Sequence, residues 1–412
     1  MKRPSVLIIG GSLGGLFAAH LLRTVGWGIR VYERTRGDLA GRGVGLGTRD
    51  ELFAVLRRAG ITIGDSIGVS VHSRICLNGD GTINCEVPIE TVTTAWDRLY
   101  RGLKDALPAE FYRAGMQLTS FEQSAKGVAA HFADGSRDEA DLLVAADGMN
   151  STIRRRLLPE VKPRYAGYVA WRGAVTENEL PAAYHDLIFR HMNFCLPEGE
   201  LAVAIPMPPP GDDGHGPRRS QFSWFRSIDQ AVGLRDWCTD STGLCHGESI
   251  PPPLIRRDVI GELQAHANAV LAPQVAALVN VTRQTVIQAI YDLESPQLTF
   301  GSVVLLGDAA FVARPHVGTG VTKAALDAQC LADVLRTAGG DLGAALSQYD
   351  VDRRRFGTWL VERGRYLGAY LSAQQKPIGE RSGAELHRQP EAFMREFGGA
   401  GVIESMPAHA WH

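Results

Sequence analysis

The sequence predicts an α/β protein: a parallel-sheet domain, a second domain with a mostly antiparallel sheet, and a C-terminal helical region. Three observations predict it. Val6-Leu7-Ile8-Ile9 is a short unbroken apolar run, followed by the glycine turn 10–15, helical spacing from Leu16 to Thr24, and a second strand from Ile29 to Glu33. Such a βαβ unit requires a parallel pair with a right-handed crossover. In the middle of the chain, Tyr168–Val175, Leu187–Leu196, Leu201–Ile205 and Gln221–Ser227 are strand-like runs without intervening helices, as in an antiparallel sheet. Val303–Leu306 then returns to the buried-strand style, before helical patterns at Gly320–Arg336 and Leu342–Leu371.

The remaining elements follow from local signals. Val69–Leu77 and Thr82–Val87 read as strands joined by the hairpin turn Asn78-Gly79-Asp80-Gly81. Thr94 is placed to cap a helix carrying Leu99, Leu103 and Leu107 at a spacing of four. Met116–Gln123 and Gly127–Ala133 suggest another hairpin, and Leu142-Leu143-Val144 a second buried strand. Pro206–Arg219 reads as an exposed loop, Pro251-Pro252-Pro253 as a break, and the tail from Gln374 to His412 has weak periodicity.

Composition excludes several classes. The chain has 412 residues, 45% apolar and 21% charged, which is ordinary globular usage rather than that of a disordered or disulfide-scaffold protein. Forty-three basic against 45 acidic side chains leave a net charge of −2, with no global field for nucleic acid or an anionic membrane. Cys76, Cys85, Cys195, Cys238, Cys245 and Cys330 are scattered, without CxxC or zinc spacing, so reduced thiols, no metal and a cytoplasmic location are expected. Lys2 and Arg3 precede the apolar stretch Ser5–Leu22, but four glycines and His20 interrupt it and no A-x-A site follows; it reads as part of the fold. No segment reaches the ~20 apolar residues of a membrane span.

Three motifs carry chemistry. In the turn Gly10-Gly11-Ser12-Leu13-Gly14-Gly15, backbone N–H groups and a helix N-terminus converge on one spot, which suits a pyrophosphate. Gly10, Ser12, Leu13 and Gly15 are its candidate contacts, with Ser12 where the fingerprint has its second glycine. Glu33, 18 residues after Gly15, suits an adenosine ribose and disfavours a 2′-phosphate, so the tightly held nucleotide is not NADP; Arg34 adjoins it. The second motif runs from Asp141 to Asp147-Gly148, followed by Ser151 and Arg154. The third is Leu305-Leu306-Gly307-Asp308-Ala309-Ala310, then Pro315, Gly318 and Gly320, then a helix containing Asp327. Alone, either is an ordinary strand and turn.

Together and in this order, they resemble the single-component, FAD-dependent aromatic hydroxylases of the p-hydroxybenzoate hydroxylase type, over roughly residues 4 to 370. Tyr165–Gly173, with its Trp171-Arg172-Gly173, and Arg314-Pro315-His316 look most like the dihydroxypyridine-hydroxylating branch. The resemblance implies a Rossmann-like FAD-binding domain over 1–72, 96–163 and 284–340, a substrate domain over 73–95 and 164–283, and a C-terminal helix and tail over 341–412. It implies that Gly307 and Asp308 lie near the ribityl and pyrophosphate groups. The helix from Gly320 would point at the flavin pyrimidine edge. Asp147 and Gly148 would lie near the pyrophosphate and the nicotinamide approach, with Arg154 in the extended motif, and Arg42 in a glycine-rich loop would pair with a phosphate. Family members often carry Arg three residues before the position of Leu99; here that residue is Trp96, with Arg98 nearby. No second strand–glycine–helix unit appears, since Gly398-Gly399-Ala400-Gly401 follows no strand, so NADH or NADPH is expected to bind transiently.

The implied reaction uses O2 and a flavin C4a-hydroperoxide to hydroxylate an electron-rich aromatic ring, foremost a hydroxypyridine or pyridinol. The substrate side is less determined. His316 is a candidate acid/base or hydrogen-bond partner, or else a structural histidine. His185 and His191 lie in the middle region. Phe194, Phe222 and Trp224 supply an aromatic wall or fill core. Arg172 belongs to the site or to a fold-stabilising ion pair. The runs Arg154-Arg155-Arg156 and Arg353-Arg354-Arg355 read as solvated faces, Arg154 apart. Rival readings are a phenol or polyketide hydroxylase, a halogenase (whose WxWxIP string is missing), a reductase, and a nucleotide-binding module without turnover. Leu342–Leu371 could pack on its own chain or on a second copy.

Overall fold

The computed structural model describes residues 3–39, 45–62, 64, 67–209 and 216–399. Its first sheet has six strands in the order Thr299–Phe300, Val303–Leu305, Leu142–Ala145, Ser5–Ile9, Gly28–Glu33, Tyr112–Ala114. All neighbours are parallel except the edge hairpin of the first two. Leu142–Ala145, Val303–Leu305 and residues 6–9 are apolar because both faces of the sheet are covered there. Helices Leu13–Thr24 and Gly320–Thr337 pack on each other beside this sheet.

The second sheet has nine strands: Phe311–Val312, Val286–Glu294, Arg164–Thr176, Arg219–Ser227, Leu201–Met207, Met192–Cys195, Gly68–Leu77, Ile83–Ala95 and Gly45–Gly47. It is antiparallel except where Met192–Cys195 runs parallel to Gly68–Leu77. Leu118–Ser124, Gly127–Phe132 and Arg137–Ala140 make a small third sheet. The protein is thus α/β, with a parallel sheet, antiparallel sheets and a helical C-terminal region. Among the described residues no helix is long and apolar enough to cross a membrane.

Several local expectations are corrected. Thr94 does not cap a helix. Its hydroxyl donates to the Ile67 carbonyl and its backbone belongs to the strand Ile83–Ala95, so the helix Trp96–Asp105 begins after Ala95. Leu187–Leu196 is not one strand: His185–Arg190 is helical, burying Ile188 and Phe189, and only Met192–Cys195 is extended. Two helices, Arg257–Val270 and Pro273–Val281, interrupt the strand series before Val286 and cover one face of the large sheet. The long C-terminal helix ends at Leu367, and Gly368 turns the chain into Ala369–Ser372. A Cβ at Gly368 would run into the Tyr168 hydroxyl. The tail contains a further helix, Pro390–Glu396, whose Phe393 and Met394 are buried.

Asp292 clamps the C-terminal helix to the large sheet. This carboxylate, 3% exposed, accepts from Arg314 Nε at 3.0 Å and from Arg365 Nη2 at 2.8 Å. Removing it would leave the buried Arg314 guanidinium without a counter-ion, while Arg365 keeps Glu294 at 3.3 Å. Asp292→Ala is expected to lower stability by about 3–5 kcal/mol, read from urea unfolding. A loss under about 1 kcal/mol would mean that the arginines find water instead.

Candidate functional site

Three parallel strands end level: Ile9 stands opposite Ala145, and Ala145 opposite Leu305. The Ala146 N–H donates to the Ile9 carbonyl at 2.8 Å, and the Leu306 N–H to the Ala145 carbonyl at 2.9 Å. The three sequence motifs leave the sheet at this line. Gly10 turns away with φ +108°, and a Cβ there would run into the Ala146 carbonyl. Gly15, inside the first helix, passes so close to the Gly10 carbonyl that no side chain fits. Ser12 precedes the helix in extended backbone, and its side chain makes no capping bond. The Glu33 carboxylate accepts from the Gly11 N–H at 2.8 Å and the Thr35 N–H at 2.9 Å. A carboxylate has further lone pairs to offer.

A groove of about 290 Å³ runs over these ends. It brings together Gly10, Ser12, Leu13, Glu33, Arg34, Asp147, Gly148, Gly307, Asp308 and Gly320. Trp96 also lines it, stacked on Tyr100 with ring centroids 5.0 Å apart, while Arg98 turns to the Pro209 carbonyl. Arg154 lies beneath the groove, 1% exposed: its Nη1 donates to the Ala309 carbonyl and its Nη2 to the Met149 carbonyl, tying the second motif to the third. Arg42 falls outside the described residues.

The groove's polar groups suit the FAD that the resemblance implies. Asp147 accepts from the Thr152 N–H at 2.8 Å through one oxygen; the other is buried without a partner. Burial raises its pKa. Asp308 opens onto the groove with its side chain more than half exposed, beside the Lys323 ammonium. The Lys323 ammonium is buried 3.8 Å from Asp308 and 3.7 Å from Asp327 and donates no hydrogen bond. Asp327 also receives the Gly307 N–H at 3.1 Å and pairs with Arg353 at 2.7 Å. Arg353 is therefore a buried ion-pair member, not part of a solvated face.

At Asp308, Gly320 and Val321 the groove meets a second cavity of about 340 Å³. Met192, Val203, Ile205, Phe225 and Ile290 give it an apolar wall, and Arg74, Arg172, Ser223 and Gln288 a polar one. Pro315 and Gly318 border it. Gly318, at φ +61°, would bring a Cβ within 2.6 Å of the Gly398 Cα, so the C-terminal segment lies directly on this loop. Arg74 secures that segment by donating to the carbonyls of Met394 and Phe397.

The substrate-side residues named from the sequence lie elsewhere. Phe222 and Trp224 point to the opposite face, into the core beneath Arg257–Val281; the Trp224 indole donates to Glu200 at 2.8 Å and stacks on His266. Phe194 is on the cavity face but is covered by Phe397, ring centroids 5.2 Å apart. His191 Nδ1 is 2.6 Å from the Ser73 hydroxyl, and His185 Nε2 is 3.0 Å from the Leu180 carbonyl. His316 is fully buried behind the cavity loop, bonded through Nε2 to the Tyr168 hydroxyl at 2.7 Å and packed on Phe225 and Phe397. Strand parity was the available signal: Arg172 and Ser223 face the cavity, and their neighbours Trp171, Phe222 and Trp224 do not.

Comparisons with known proteins agree with this geometry. A family model described as "FAD binding domain" matches residues 3–181, and one described as "FAD binding domain-like" matches residues 165–292. The chain is 30% identical over 372 residues to the 2,6-dihydroxypyridine 3-monooxygenase of Paenarthrobacter nicotinovorans, covering 89% of this chain and 91% of that one. It is 27% identical to the 6-hydroxynicotinate 3-monooxygenase of Pseudomonas fluorescens, covering 91% and 94%. The solved structure of 2,6-dihydroxypyridine-3-hydroxylase from Arthrobacter nicotinovorans superposes with a TM-score of 0.84 at 27% identity, covering 94% of this chain and 99% of that one.

Ser12→Asp would put a carboxylate at the helix N-terminus facing the groove. Affinity for FAD is expected to fall on the order of 100-fold, measured by fluorescence titration of the apoprotein with an unchanged circular dichroism spectrum. Undiminished affinity would move the pyrophosphate away from this turn.

Proposed function

Because this chain belongs to the single-component, FAD-dependent aromatic hydroxylases of the p-hydroxybenzoate hydroxylase type, we propose that it hydroxylates an electron-rich nitrogen heteroaromatic ring, a hydroxypyridine or pyridinol. NADH or NADPH is the electron donor and O2 the oxidant: one oxygen atom goes to the ring and the other leaves as water. The observation that supports this reading is the junction at Asp308, Gly320 and Val321, where a nucleotide groove opens into a ring-sized, largely apolar cavity. The names of the two relatives, both monooxygenases of hydroxylated pyridine rings, support the same substrate class.

FAD bound at this junction supplies two-electron chemistry and the activation of O2. The chain's own residues do the rest. Gly10, Ser12 and Leu13 present the helix N-terminus to the pyrophosphate, and Glu33 takes the ribose. The 18-residue helix Gly320–Thr337 begins at the junction, and its dipole favours negative charge there. Met192, Val203, Phe225 and Ile290 seat the ring and exclude water, which keeps oxygen delivery from being lost as H2O2.

His316 acts in this reading as a positioning residue. Its burial, and then the charges of Arg314 and Arg172, hold the imidazole down to about 3, so it is neutral at working pH. Together with Tyr168 it supports the loop Arg314–Gly320 from behind.

Two measurements test the proposal. Oxygen-dependent NADH and NADPH consumption, stimulated by a hydroxypyridine and coupled to a one-oxygen gain in product mass, is the expected result of a substrate panel with H2O2 quantified. Consumption that no hydroxypyridine stimulates, or that ends wholly in H2O2, would remove this substrate class. For His316, the unfolded chain takes up a proton near pH ~6.5 that the folded chain refuses until about 3. The stability this residue contributes is present above that range and erodes as the pH falls through it. The melting temperature of His316→Asn is therefore expected to fall less steeply on acidification than that of the wild type. Equal slopes would mean that His316 titrates freely in the fold.

A further inference from the structure

The second cavity carries a charge that the hydroxylation reading leaves unused. Four cationic side chains border it: Arg74, Arg172, Arg314 and Lys323. Arg74 is occupied by the carbonyls of Met394 and Phe397. Arg314 is paired with Asp292 at 3.0 Å. Lys323 stands between Asp308 and Asp327, at 3.8 and 3.7 Å. Arg172 differs from all three. Among the described residues its side chain makes neither an ion pair nor a hydrogen bond, to a carboxylate or to a carbonyl, and its Nε is buried.

Its place in the sheet explains where it points. Arg172 stands opposite Ser223 on one neighbouring strand and Val286 on the other, and Ser223 in turn stands opposite Val203. Trp171 projects to the far face and packs in the core there, so Arg172 must project into the cavity. Burial lowers its pKa to about 10, which still leaves the guanidinium charged at neutral pH. A desolvated cation without a counter-ion is costly to fold. The arginines that serve the fold are all engaged: Arg314 and Arg353 pair with carboxylates, and Arg74 and Arg154 donate to backbone carbonyls. The missing partner is therefore expected in the ligand.

Resting on the hydroxylase reading, we propose that Arg172 is the specificity-determining anchor of the substrate, gripping an anionic substituent of a flat aromatic ring that lies against Val203, Phe225 and Ile290. A guanidinium fork matches a carboxylate through two parallel hydrogen bonds, and it also stabilises an ionised ring hydroxyl. Both sources share one chemistry: negative charge in the plane of the ring. With the charged edge fixed at Arg172, the ring has one preferred orientation relative to the junction at Asp308 and Gly320. Arg172 would thus select the position attacked as well as the ligand bound.

The test uses the FAD-loaded full chain and two pairs of ligands, each an anion and a neutral analogue, the first pair matched in shape and the second differing also by two methyl groups. One pair is 6-hydroxynicotinate and 6-hydroxynicotinamide; the other is 2,6-dihydroxypyridine and 2,6-dimethoxypyridine. Binding is read from the change in flavin absorbance, and KM is separated from kcat for every ligand that turns over. The wild type is expected to prefer the anion of at least one pair, and Arg172→Gln to weaken that anion on the order of 100-fold while changing its neutral partner by less than about 3-fold. Arg172→Lys should recover part of the loss, since it restores charge without the fork. The pair that responds tells a carboxylate from a ring oxyanion. Discrimination that survives in Arg172→Gln overturns the anchor alone. A wild type that binds these ligands without favouring either anion also overturns the anchor and leaves the hydroxylase reading intact. A wild type whose flavin responds to none of the four removes the hydroxypyridine reading itself. Should Arg172→Gln fail to hold FAD, the wild-type preferences and the Arg172→Lys affinities decide the matter.

Discussion

Everything in the nucleotide groove depends on one hydrogen-bonded line across three parallel strands. Ile9, Ala145 and Leu305 stand in register, though long stretches of chain separate them. Their level ends let Gly10, Asp147 and Asp308 leave the sheet side by side. In an open parallel sheet this is where ligands bind, because the connections there diverge and expose backbone donors. The line also dictates local sequence: the Ala146 carbonyl takes the space that a side chain at residue 10 would need. Arg154 then locks two of the exits together by donating to carbonyls on both.

The larger sheet solves a different problem, since its two faces must differ. Trp171, Phe222 and Trp224 fill one side beneath a helical cover, and Arg172, Ser223 and Phe225 open on the other. A shift of one residue in any of these strands would exchange the faces. The tryptophans make that exchange expensive. The Trp224 indole has a half-buried acceptor in Glu200 on its own side. The apolar side thereby fixes the orientation of the polar one.

Much of this was legible in the sequence. The glycine turn, Asp147-Gly148 and Gly307-Asp308 carry short-range signals, because turns and phosphate sites constrain backbone conformation at the residues concerned. All three open on the same groove. What was not legible depends on tertiary context. The helix His185–Arg190 was hidden because its buried Ile188 and Phe189 suit a strand equally well. Thr94 reads as a helix cap until the Ile67 carbonyl takes its hydroxyl. Phe194, Phe222 and Trp224 are aromatic and central, but parity and the covering segment decide what each one touches. The helix Pro390–Glu396 sits in a tail of weak periodicity, and contacts with distant residues such as Arg74 and Phe194 hold that segment where it lies.

Of the stretches of chain that join the two sheets, one serves both sites. From Val303 to Lys323 it leaves the parallel sheet, contributes Asp308 to the groove, and pairs Phe311–Val312 with Leu293–Glu294 at the edge of the large sheet. It is then held by Arg314 on Asp292, borders the cavity with Pro315 and Gly318, and enters the helix at Gly320. Because this stretch belongs to both sheets, it ties the position of one site to that of the other. Such a link suits chemistry that must transfer oxygen before water intervenes, since the distance from cofactor to ring is then set by covalent chain and buried ion pairs. The two glycines at φ +65° and +61°, Gly307 and Gly318, mark where the stretch bends to serve each site. The rigid span between them, anchored by Arg314 and supported by His316 from behind, keeps the two bends apart.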